Sequence, residues 1–232
     1  MPTLILVRHG RSTANTAGIL AGRMPGVTLD ERGAAQAAAL PARLEGVPLA
    51  AVVSSPLQRC QETVRPLLDA RPGLRPHTED GINECDYGDW TGRKLDELID
   101  EPLMEIVQAH PTAAAFPGGE SMRTMQHRAA EAVRRWNRRI EEEHGADAVY
   151  LMCSHGDIIK SLAADALGLH LDQFQRISVE PCSVTVVRYT RTRPFLVRLG
   201  DTGDFASLVP RPDRETEGSG GAATVGGGAG AP

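Results

Sequence analysis

The chain alternates short, uninterrupted apolar runs with segments of helical period. Residues 3–8, "LAAVVSS" (49–55) and "AVYLMCS" (148–154) are apolar runs of strand length bounded by turn-forming residues, the pattern of strands buried on both faces. Between them, "DERGAAQAAALPARL" (30–44) is Ala-rich and helical, and Leu57, Cys60, Val64 and Leu67 fall on one face at 3.6-residue spacing. Ser55 followed by Pro56 predicts the N-cap and first position of that second helix. Residues 85–145 interrupt the alternation with two Pro-bounded segments and a helix carrying Met125, Ala129, Val133, Trp136 and Ile140 on one stripe, and read as a helical insertion. Strand patterns return with "SVTVVRY" (183–189) and "PFLVRLG" (194–200).

This order predicts an α/β three-layer sandwich: a largely parallel mixed sheet with helices on both faces and the helical insertion at about 85–145. One domain over residues 1–205 accounts for all the patterned sequence. Residues 206–232 form a Gly/Ala-rich segment with little able to anchor a core, expected to be a flexible tail.

Composition narrows the function classes. Apolar residues are 41%, charged residues 24%, and aromatic residues only 4%, so aliphatics and alanine must fill the core. The net charge is −5, from 25 basic and 30 acidic residues, with no basic run; this argues against nucleic acid as a partner. No stretch of eighteen apolar residues and no signal-type amino terminus is present, which argues against the membrane and secretion. Cys60, Cys85, Cys153 and Cys182 show no C-x-x-C pairing and no zinc-type spacing. They read as buried free thiols in a cytoplasmic protein with no metal and no cofactor, and homo-oligomerisation is left open.

In parallel α/β sheets ligands bind at the carboxyl ends of the strands, beside helix N-termini. The three clearest strands end at Arg8-His9-Gly10, at Ser54-Ser55 with Arg59 one helical turn on, and at Ser154-His155-Gly156. Two histidines and two arginines therefore converge on one sheet edge. Two planar guanidinium forks suit the charge of a phosphomonoester, and nearby arginine charge favours the neutral imidazole that an in-line attack requires. Taken alone, His9 reads rather as a hydrogen-bonded turn residue, and Arg59 as a surface residue pairing with Glu62 or Glu84; it is their joint placement that favours chemistry. His77, His110, His127, His144 and His170 read as surface or helix-end residues, and Gly118-Gly119 as a turn.

"VRHGRSTAN", "SSPLQRCQET", "INECDYGDWTG", "FPGGES" and "SHGDIIK" stand in this order, and in that order they resemble the histidine phosphatase superfamily, in its phosphoglycerate mutase-like branch, over about residues 3–190. The resemblance implies the phosphoglycerate mutase-like fold and a phosphorylated nucleophile at His9. It also implies phosphoryl binding by Arg8, Arg59 and His155, a phosphate contact at Asn15, substrate approach at Gly22, with Gly156 alongside, and a proton donor at Glu84. Asp80, Asp86 and Asp89 lie close to Glu84 as competitors. The implied activity is hydrolysis of a small phosphorylated metabolite through phosphohistidine, without metal. The mutases of the family carry an adjacent arginine pair in the insertion, where residues 105–125 offer only Arg123; "FPGGES" and Trp90 look more like its phosphatases. Mutase-type transfer and non-catalytic binding of a phosphorylated ligand stay as alternatives.

Overall fold

The structure, a computed structural model, describes residues 1–203. Six strands make one sheet: β1 (Thr3–Arg8), β2 (Leu49–Ser54), β3 (Pro76–Thr78), β4 (Val149–Ser154), β5 (Val184–Arg188) and β6 (Phe195–Asp201), in the order β3-β2-β4-β1-β5-β6. The first four run parallel, whereas β5 and β6 each pair antiparallel with the strand before them in that order. The largely parallel mixed sheet is thus as expected. β1, β2 and β4 are buried along most of their length, which is why they lack polar alternation.

The helices are α1 (Thr13–Thr16), α2 (Glu31–Ala38), α3 (Leu40–Arg43), α4 (Gln58–Asp69), α5 (Leu95–Leu98), α6 (Pro102–Ala109), α7 (Met122–His144) and α8 (Gly156–Leu167). Two cores result. On one face Leu4, Leu6 and Val53 pack with the α7 stripe Met125, Ala129, Val133, Trp136 and Ile140 and with α8; on the other Val7, Val52 and Leu151 pack with Leu40, Cys60, Val64 and Leu67 of α3 and α4. Of the segment read as an insertion, α7 is part of the helical layer itself. All four cysteines are free and buried. Among the described residues no helix is long and apolar enough to cross a membrane. The tail expected at 206–232 lies outside the described residues.

Two local expectations are corrected. Residues 30–44 form two helices, with Pro41 placed at the start of α3, where its missing N–H costs nothing. α4 begins at Gln58, not Pro56, and Leu57 rather than Ser55 is its N-cap. Leu57 is half-buried, while Cys60, Val64 and Leu67 are buried. The Ser55 hydroxyl is used elsewhere, as shown below.

The loop after β1 is wedged against the first turn of α2. A Cβ at Gly33 would lie 1.9 Å from the Arg11 carbonyl oxygen, and one at Gly10 would lie 2.7 Å from the Gly33 carbonyl oxygen. All the clashing atoms are backbone, so neither side can yield cheaply. Gly33→Ala is expected to cost about 1–3 kcal/mol, read as a lowered urea midpoint; an unchanged midpoint would show that the loop and α2 separate freely.

Candidate active site

Parallel pairing of β1 with β4 in the register Arg8–Ser154 sets His9 and His155 side by side. Their rings meet edge to face, 5.2 Å between centroids, and the His9 N–H donates to the Ser154 carbonyl (2.9 Å). His9 Nδ1 lies 2.7 Å from the Gly10 carbonyl oxygen. Only a protonated Nδ1 can donate there, so Nε2 carries the lone pair. Arg59 Nε donates to that Nε2 (3.3 Å). The nucleophilic nitrogen is therefore free of a proton and faces a guanidinium.

Arg59, buried on the first turns of α4, organises the pocket. Its Nη2 donates to the Gly22 carbonyl (2.8 Å) and lies 3.2 Å from His155 Nδ1, while its Nη1 is buried and makes no hydrogen bond. Among the described residues no carboxylate forms an ion pair with Arg59. Thr63 links this turn to the nucleophile loop: its hydroxyl donates to the Arg59 carbonyl (2.6 Å) and accepts from the Gly10 N–H (3.0 Å). Gly22 holds φ at +49°, and a Cβ there would come within 3.0 Å of Tyr87 and Thr91. A side chain would push out the carbonyl that Arg59 grips.

His155 Nε2 is 2.8 Å from Ser55 Oγ, which also accepts the Leu57 N–H (3.4 Å) ahead of α4. With Nδ1 facing the Arg59 donor, Nε2 is the protonated nitrogen and donates to Ser55. Arg8 is fully buried and donates from Nη1 to the Val179 carbonyl (2.7 Å). Burial first, then the charges of Arg59 and Arg8, hold His9 well below its usual value of 6.5; burial and Arg59 do the same for His155. The arginine effect expected from the sequence is present, and desolvation exceeds it.

Glu84 is 3% exposed. Its Oε1 accepts the Cys85 N–H (2.9 Å) and its Oε2 lies 3.8 Å from His155 Nδ1. Burial, followed by the charge of Asp157, pushes this carboxyl up to about 7, against the pull of Arg59 and Arg8. Its backbone is pinned by residues that the sequence did not reveal. Arg23 Nε and Arg128 Nη2 both donate to the Glu84 carbonyl (2.9 and 3.0 Å), and Arg128 Nη1 also donates to the carbonyls of Gly81 and Asn83. Glu120 holds the two guanidinium groups together, at 3.0 and 2.6 Å.

His9, Arg59, His155, Glu84 and the Gly22 carbonyl are thus in one pocket with Arg8 beside them, as the sequence led us to expect. Gly156 opens α8 directly after His155, where first-turn N–H groups lack helical acceptors. Asn15 is half-buried with its Oδ1 already accepting from the Ser12 N–H (3.0 Å) and hydroxyl (2.9 Å), closing the capping box of α1. Of the remaining histidines, His110, His127, His144 and His170 are exposed, and His77 packs against Trp136, 5.2 Å between ring centroids.

The arrangement can hold a dianion between two arginines in front of an unprotonated imidazole nitrogen, with a protonated carboxyl at hand. Known proteins share its framework. The chain is 29% identical over 211 residues to phosphoserine phosphatase 1 of Hydrogenobacter thermophilus, covering 88% of this chain and 96% of that one. It is 32% identical over 180 residues to a 2,3-bisphosphoglycerate-dependent phosphoglycerate mutase of Brucella melitensis, covering 74% and 84%. The crystal structure of the alpha-ribazole phosphatase from Shigella flexneri superimposes with a TM-score of 0.75 at 25% identity, over 86% of this chain and 96% of that one. Residues 4–202, from β1 into the end of β6 and across the whole pocket, match one family along their length, and the chain belongs to the histidine phosphatase superfamily, branch 1.

Proposed function

We propose that the protein hydrolyses a small phosphomonoester through a phosphohistidine formed at His9 Nε2. The observation that carries this reading is the buried Arg59 guanidinium, with no carboxylate ion pair among the described residues and one unsatisfied nitrogen, set against that lone pair. Buried cationic nitrogen without an acceptor is costly, and a phosphoryl dianion supplies both acceptor and charge. In the first half-reaction Nε2 attacks phosphorus and the bond to the leaving oxygen breaks, the Glu84 carboxyl giving that oxygen its proton. In the second, water attacks phosphorus, its proton returns to the Glu84 carboxylate, and Nε2 departs. Arg8 and Arg59 supply the positive charge for the equatorial oxygens, the main requirement of phosphoryl transfer, and His155 joins them as a donor from Nδ1 once the bound dianion favours its protonated form.

Hydrolysis is favoured over mutase-type transfer because residues 105–125 bring no arginine pair: Arg123 is exposed at the start of α7, and the pairs Arg134-Arg135 and Arg138-Arg139 lie further along that helix on its exposed face. The reaction proposed is metal-independent, its phosphoryl charge being met by Arg8 and Arg59. The test is a panel of phosphomonoesters, including phosphoserine and phosphoglycerates because relatives carry those names, assayed for free phosphate and for transferred phosphoryl. Phosphate release unchanged by chelator is expected. Transfer without release would favour the mutase reading, binding without either would favour a non-catalytic receptor, and activity restored to chelated protein only by added metal would overturn the metal-independent mechanism.

A further inference from the structure

The first turns of α8 are buried from Gly156 through Ala164, yet two of those side chains are charged: Asp157, 0% exposed, and Lys160, 3% exposed. A buried carboxylate is tolerated only where donors reach it. Asp157 has them on both oxygens. Tyr87, itself fully buried, donates its hydroxyl to Oδ2 (2.9 Å), and Lys160 Nζ lies 3.4 Å from Oδ1. The ammonium is in turn held by Gln175 Oε1 and sits 4.9 Å from the centre of the Phe174 ring. Asp157 is also at the N-terminus of an α-helix, where negative charge is favoured. Every one of these contacts sets a donor or a positive charge against Asp157.

Glu84 is in the opposite situation. Its carboxylate receives one backbone N–H, and two arginines lie within electrostatic reach. The charged and titratable groups facing it are Arg59 from α4, Arg8 from β1, the neutral His155 that caps α8, and Asp157 in the first turn of α8. Arg23 and Arg128 bind its carbonyl, and their charge is met by Glu120. Burial opposes the arginines first, and Asp157 adds a fixed negative charge to it: Asp157 stands two residues after His155, whose Nδ1 is 3.8 Å from Glu84, and it is bonded by Tyr87, three residues after Glu84. Two carboxylates in one pocket, one saturated with donors and one nearly without, divide into an ion and an acid.

We propose that Asp157, bonded by Tyr87 and facing Lys160, is a positioning residue that holds the proton on Glu84 until the leaving group takes it. This rests on Glu84 being the acid. Asp157→Asn can still accept the Tyr87 hydroxyl but removes the charge. With an alkyl phosphate, the alkaline limb of kcat against pH is expected to move about one unit toward acid, so that the rate above the limb falls ~10-fold while the rate below it stays near wild type. Asp157→Glu is expected to return the limb toward its original position. If an unpaired Lys160 prevents folding of Asp157→Asn, the double variant Asp157→Asn/Lys160→Gln leaves no buried ammonium and is expected to show the same displacement. A uniform loss at all pH with an unmoved limb would mean a purely structural role and overturn the inference. Glu84→Gln separates this from failure of the parent reading: an alkaline limb that persists in Glu84→Gln removes Glu84 as the acid, whereas a limb lost in Glu84→Gln and unmoved in Asp157→Asn removes only Asp157.

Discussion

In His9→Ala, phosphate release is expected to fall by on the order of 10⁴-fold or more, and covalent labelling to vanish with it. No neighbouring group can substitute. His155 has Nε2 bonded to Ser55 and Nδ1 facing Arg59, and Cys60, whose sulfur is 3.5 Å from His155 Nε2, is fully buried. The Gly10 carbonyl orients only the His9 ring, so the lone pair at the end of β1 has no replacement within reach. Rapid quenching of wild type with a labelled phosphomonoester should trap phosphate that is lost in acid and kept in alkali, as phosphohistidine requires. Label that survives acid, or that persists in His9→Ala, would point to another nucleophile.

Glu84→Gln should slow phosphoryl transfer from an alkyl phosphate by ~10²–10⁴-fold. The substitution preserves the shape of the side chain and its acceptor for the Cys85 N–H, while the backbone stays gripped by Arg23 and Arg128. What it removes is the proton that burial and Asp157 retain near neutral pH. An aryl phosphate with a good leaving group needs less protonation, so its pre-steady-state burst should be partly restored, even where attack of water on the phosphohistidine then limits turnover. Equal slowing of both bursts would exclude Glu84 as the acid. Asp86 and Asp89, its sequence neighbours, would be next: Asp86 is turned toward Arg23, 3.7 Å away, and partly exposed.

What the sequence could disclose was set by range. β1, β2 and β4 were legible because strands buried on both faces must be continuously apolar, and the α7 stripe because a helix over a sheet buries one face in every turn. His9, Arg59 and His155 could be brought together without coordinates, since parallel strands deliver their carboxyl ends to one edge. Ser55 was misread because Ser-Pro has the same local form whether its hydroxyl caps a helix or orients an imidazole 100 residues away. β3, three residues opening with Pro76 at the sheet edge, has too little pattern to be seen. Arg23, Glu120 and Arg128 act on Glu84 across separations of 36 to 61 residues, which no periodicity encodes. Asp157 and Lys160 did leave a trace: charges three apart in the first turns of a helix that are otherwise mostly apolar are costly unless the fold has a use for them.

Three buried side chains of the pocket also make folding sensitive to acid and base. His9 and His155 are held neutral, well below the 6.5 of an exposed imidazole, so below pH 6.5 the unfolded chain takes up two protons that the native one refuses. Glu84 has the opposite sign: between its ordinary 4.5 and about 7 the native protein keeps a proton that the unfolded chain releases. Below pH 6.5 the two histidines make stability fall with acid, and Glu84 opposes them over the range from about 7 down to 4.5. From 6.5 up to about 7 only Glu84 contributes, and stability declines with base. On these three groups the fold is most secure close to pH 6.5, where Glu84 still keeps its proton and His9 has none.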